Sequence, residues 1–150
     1  MTATETSIDT LNDVTKLLID SCQGYQKASE LSDDNPSLQH EFQRRAADRE
    51  ALVTEFQTQV RGLGGQPVTD GGAAGKLHRG LFDFASNFRD DEKAAVNAVD
   101  DGEEYLANQI GEKLENGELT ADARELLIKA QASAKSGESF AGKMENIQQQ

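Results

Sequence analysis

The side chains in this sequence that can do chemistry are its acids, two histidines and one cysteine. The chemistry helical proteins host most readily is a carboxylate-bridged pair of metal ions. Such a site takes one Glu from each of two helices and a Glu-x-x-His pair from each of two others. His40 has Ser37 three residues before it and His78 has Gly75, so the chain holds no Glu-x-x-His. The candidate metal ligands are therefore acids that interrupt apolar lines. Asp48 stands between Ala46 and Leu52, Glu103 stands between Val99 and Leu106, and Glu104 follows it. Asp48 and Glu103 can share a cation, iron or manganese by ligand type, or each can pair with a nearby base such as Arg44, Arg45 or Arg49.

Other clusters fail on spacing. Gly71-Gly72-Ala73-Ala74-Gly75-Lys76 has Asp70 and Leu77 where a phosphate loop needs Gly and Ser or Thr. Asp33-Asp34-Asn35 has Arg44 where a calcium loop needs its closing acid, and Asp100-Asp101-Gly102-Glu103-Glu104 sits inside a helical pattern, as on a solvated face. His78 and Arg79, just after Gly75 and Lys76, are a candidate anion or partner site, with packing of His78 as its alternative. Cys22 falls on an apolar stripe, where a small buried hydrophobe is expected.

The elements that position these groups are helices. Ile8, Leu11, Val14, Leu18, Cys22 and Tyr25 recur at spacings of three and four, with Ser7 and Thr10 as N-caps. This first helix should run to about Leu31. Ser32 to Ser37 forms a tight turn, and a second helix runs from Ser37 to Leu63, stopped by Gly64-Gly65 and Pro67. Residues 64–75 make a glycine-rich crossing. A short helix with Leu77, Leu81, Phe84 and Phe88 follows, then a helix opening at Arg89-Asp90-Asp91 and ending at Asn116-Gly117, then one capped by Thr120. Gly24, Gly102 and Gly137 inside helices imply close approach of a neighbouring helix or a bulky side chain such as Tyr25, Tyr105 or Phe140.

No run alternates like a strand, so the fold is all-α: one domain over 1–150, an antiparallel four-helix bundle with an extra short helix between the second and third long ones. Residues 1–6 and 148–150 are expected to be flexible. The net charge of −12 disfavours nucleic acid and anionic lipid. No window is apolar enough to span a membrane, and a lone cysteine fits a cytoplasmic setting.

Several stretches together resemble an uncharacterised bacterial family of ferritin-like four-helix bundles, catalogued as a domain of unknown function. They are Ile8-Asp9-Thr10-Leu11-Asn12, Gly24 to Glu30, Phe42 to Glu55, Leu63-Gly64-Gly65, Leu77-His78-Arg79-Gly80 and Gly102-Glu103-Glu104. The resemblance implies a ferritin-like bundle whose extra short helix carries His78, and distant kinship with proteins that hold two metals in their core. It implies no activity. The chain departs from the family pattern at Gln23, where a Glu is expected, at the shorter Asp48, and at Ala134 and Ser139, where Glu and His follow the Gln that is kept here as Gln131. The expectation is a non-enzymatic protein without a cofactor, acting as a homo-oligomer, with a dimer favoured, or through a protein partner. The ferritin-like context adds stress response. The alternative is a degenerate di-metal carboxylate site.

Overall fold

The computed structural model describes residues 1–71 and 91–149. Four helices account for most of them: α1 (Ala3–Leu31), α2 (Pro36–Gly62), α3 (Asp91–Asn116) and α4 (Ala121–Gln148). The described residues contain no strand. The expected short helix, with His78 and Arg79, lies outside the described residues.

Helix α1 begins a turn earlier than the apolar spacing predicts. Thr2 is its N-cap, with Oγ1 accepting from the Glu5 amide at 3.1 Å. Ser7 and Thr10 are not caps but buried residues inside the helix. The first turn carries no apolar residue larger than Ala3, so periodicity could not register it. The Ser7 hydroxyl serves the far end of the chain instead, accepting from the Thr120 amide at 2.9 Å, while Thr120 caps α4 through the Ala123 amide.

Asn35 caps α2 through the Leu38 amide at 3.2 Å, and Pro36 occupies the first turn, where a missing N–H costs nothing. The other end closes on Gly64 at φ +88°, a backbone region in which a Cβ is strained. The amides of Gly64 and Gly65 return to the carbonyls of Arg61 and Val60. The chain beyond is held to the hairpin: Asn12 bonds the Gln66 carbonyl and the Val68 amide, and Gln57 bonds the Val68 carbonyl.

Helix α1 packs along α2, α3 along α4, and α1 against α3, with lighter contact between α2 and α4. The core forms two clusters. One contains Leu11, Val14, Leu18, Phe56, Ile110 and Leu127; the other contains Tyr25, Phe42, Val96 and Ala141, with Phe140 against Phe42 edge-on at 6.1 Å.

Gly24 does not show the expected close approach, since a Cβ there would meet nothing within 4 Å. Gly24→Ala should therefore stabilise the protein by up to about 1 kcal/mol, the difference in helix propensity. Urea unfolding would measure it, and a loss of stability would reveal a neighbour that the packing does not show.

Candidate functional site: a buried ionic layer

Between the two apolar clusters lies a polar layer to which every helix contributes. Each contribution falls where an apolar line passes from one cluster to the next. On α1 these are Ser21 and Tyr25, past Leu18. On α2 it is Arg49, between Ala46 and Leu52; on α3, Glu103, between Val99 and Leu106; and on α4, Ser133 and Gly137, before Ala141.

Arg49 is the centre. Its side chain is 1% exposed and that of Glu103 is 3% exposed. The guanidinium grips the carboxylate with both prongs: Nη1 donates to Oε1 at 2.8 Å and Nη2 to Oε2 at 2.7 Å. Nη1 also donates to Ser21 Oγ, and Nη2 to Ser133 Oγ at 3.4 Å. Tyr25 donates its hydroxyl to Glu103 Oε2 at 2.7 Å, and its ring stands 5.5 Å from the Arg49 guanidinium carbon. Bidentate charge-assisted bonds of this kind are the strong class, and they carry the cost of removing two charges from water.

Electrostatics follow the burial. Burial pulls the Arg49 guanidinium down, but the hydrogen bonds and charge of Glu103 outweigh it and leave its pKa raised. Burial also pushes the Tyr25 hydroxyl far up, helped by the charge of Glu103, so Tyr25 stays a neutral donor. Gly137 makes room for the layer, because a Cβ there would run into Glu103 Oε2 and lie 2.5 Å from the Tyr25 hydroxyl. The close approach expected at this glycine is present, with Tyr25 among the groups concerned.

The acids expected to act as metal ligands are dispersed. Glu103 is buried, and the cation it shares is the Arg49 guanidinium. Asp48 is 61% exposed and has its own partner, Arg44 Nη1 at 3.0 Å. Glu104 is exposed. Among the described residues no group of three or more His, Cys, Asp and Glu side chains is placed to hold a metal ion. Gln131 donates to the Ala107 carbonyl, Ala134 is buried, and Gln23 and Ser139 face solvent. Cys22 is buried, with Sγ 3.4 Å from the Ala46 carbonyl, and burial pushes its thiol pKa up, which keeps it an unreactive thiol.

Sequence reasoning singled out Glu103 and named Arg49 among the bases that could pair with it, but it did not place Arg49 in the core and missed the roles of Tyr25, Ser21 and Ser133. A signal for Arg49 was present: Phe42, Ala46, Arg49, Val53, Phe56 and Val60 follow one another at spacings of four and three, which puts the arginine on the inward face.

Among the described residues these features define an all-α arrangement of four long helices with an ionic layer in its core. The chain belongs to the family described as Domain of unknown function (DUF2383), which matches residues 6–116. That stretch carries Ser21, Tyr25, Arg49 and Glu103, while α4 lies beyond it. No curated protein and no solved structure matches the chain. Among the described residues no helix is long and apolar enough to cross a membrane.

Proposed function

We propose that this protein is a cytoplasmic binding scaffold, an antiparallel ferritin-like bundle that acts as a dimer or through a protein partner and not through chemistry in its core. The observation that carries this reading is the Arg49–Glu103 pair. The inward carboxylate best placed to ligate a metal is already neutralised by a guanidinium from α2, a helix that reaches α3 through the core and does not pack directly against it.

The pairings across the bundle support the antiparallel arrangement. Asp13 pairs with Lys113 and Tyr25 with Glu103; Arg49 meets Ser133 and Glu55 meets Lys129; Glu92 meets Gln148 and Ala107 meets Gln131. In each set one number rises as the other falls. The glycine-rich crossing between the two hairpins supports the ferritin-like connection. Exposed apolar side chains on the second hairpin, Tyr105 at 47%, Ile128 at 51% and Ile147 at 59%, are available to a dimer or partner contact. The anion or partner site at His78 and Arg79 belongs to the same proposal.

One pair of measurements tests the reading. Sedimentation equilibrium at low micromolar concentration should give the mass of a dimer, and thermal melting with excess Mn(II) or anaerobic Fe(II) should leave the midpoint unchanged. A monomer would remove self-association as the mode of action. A saturable rise in the midpoint that disappears in Glu103→Ala would replace the scaffold with a metal site, because a ligand that binds only the folded state raises its stability.

A further inference from the structure

Along the core, the principal residues of the ionic layer belong to series in steps of seven. On α2, Arg49 stands between Phe42 and Phe56; on α3, Glu103 stands between Val96 and Ile110. On α1, Tyr25 follows Leu11 and Leu18, and on α4, Gly137 stands between Ala130 and Met144. All of these are buried except Met144, which is partly so and packs on the second apolar cluster. Seven residues are close to two turns of helix, so each apolar member points nearly the way its polar neighbour does, one step along. The apolar pattern of the core therefore repeats when α3 and α4 slide together past α1 and α2 by one step, about 10 Å. Residues 117–120 tie α4 closely to α3, while residues 63–90 between α2 and α3 are long enough in sequence to follow such a slide.

The polar layer does not repeat. One step would set Arg49 level with Val96 and Glu103 with Phe56; a step the other way would set Arg49 level with Ile110 and Glu103 with Phe42. Arg49 would exchange Ser133 for Phe140 or Leu126, and Met144 or Ala130 would bring a Cβ against the Tyr25 hydroxyl where Gly137 leaves room. The bonds from Tyr25 to Glu103, from Arg49 to Glu103 and from Arg49 to Ser133 all run from α1 or α2 to α3 or α4, so a slide breaks them all. Both charges would then lie in the core without a partner, the costly arrangement for a buried pair.

We propose that the ionic layer is a register lock, which fixes one alignment of the α1–α2 hairpin on the α3–α4 hairpin by making the neighbouring alignments bury unpaired charge. Uncovering a layer at each end already disfavours a slide, and the lock adds a penalty that apolar packing of repeating pattern does not supply.

The lock rests on the antiparallel pairing proposed above and not on self-association. Its test combines Glu55→Cys with Lys129→Cys, Asp122→Cys or Ser136→Cys in three proteins, each with Cys22→Ala, and follows intrachain joining by the short thiol cross-linker dibromobimane. Lys129 bonds Glu55 at 2.9 Å, and one step either way brings Asp122 or Ser136, both exposed, to the level of Glu55. With the layer intact, joining at 129 should be fast and joining at 122 or 136 slow; failure at 129 would refute the pairing and the lock with it. In the background Tyr25→Phe, Arg49→Met, Glu103→Leu, joining at 122 or 136 should quicken roughly tenfold or more, because the slipped alignments no longer bury unpaired charge. Leu127→Ala, which weakens the core outside the layer, should leave both slow. Unchanged rates in the apolar background, or an equal rise in Leu127→Ala, would overturn the lock. Loss of helical circular dichroism in the apolar background would overturn it too, by showing that the layer is needed for folding itself and not for the choice of register.

Discussion

Replacing Arg49 with alanine should cost about 3–5 kcal/mol of stability, because Glu103 is then left buried with its charge uncompensated. For a chain of this size that corresponds to a melting point lower by roughly 10 °C or more. Glu103→Ala should cost a similar amount, since it leaves a guanidinium in the core with only hydroxyls to receive it. The triple variant Tyr25→Phe, Arg49→Met, Glu103→Leu should lose far less than the two single losses added, because an apolar layer of like volume needs no charge compensation. Urea unfolding of the four proteins forms the test. Single losses below about 1 kcal/mol would mean that the pair is solvated in practice and that the layer contributes no more than a surface bridge.

The second large effect is expected at Gly137. Alanine is the better helix former by about 1 kcal/mol, and on propensity alone Gly137→Ala should stabilise α4. Here the new methyl would occupy space held by Glu103 Oε2 and crowd the Tyr25 hydroxyl. Overpacking a well-filled site costs about 1–3 kcal/mol, and displacing a buried carboxylate from its two donors adds to that, so a net loss of about 2 kcal/mol is expected. The same substitution in a Glu103→Ala background should cost clearly less, since the nearer obstruction is gone and only the Tyr25 hydroxyl, 2.5 Å from the new Cβ, must still give way. A loss unchanged in that background would point to helix contact, and not the ionic layer, as the reason for the glycine.

The fold was legible where a helix carries its own punctuation. Gly64 at the end of α2 and Thr120 as the cap of α4 stand where the sequence reading put them, and the turn it placed around Asn35 and Pro36 separates α1 from α2. The start of α1 was not legible, since Thr2 to Ser7 offers only the small Ala3 to count. The ionic layer was half legible, for a physical reason. An acid on an apolar line is conspicuous, so Glu103 was noticed, whereas an arginine there reads as a surface residue whose long stem lies along the helix. The same logic favours Asp48 over its neighbour Arg49, yet the four-and-three spacing puts Arg49 inside and Asp48 outside. Ser21, Tyr25 and Ser133 could not be placed without knowing which helix faces which.

The hydrogen bonds between Ser7 and Thr120 join residues 113 positions apart. Each hairpin can form from short-range contacts, but this bond between the beginnings of α1 and α4 must wait until both hairpins exist and have docked, because closing so long a loop early sacrifices chain entropy before any contact offsets it. By this entropy argument the contact between Ser7 and Thr120 is expected among the last to close.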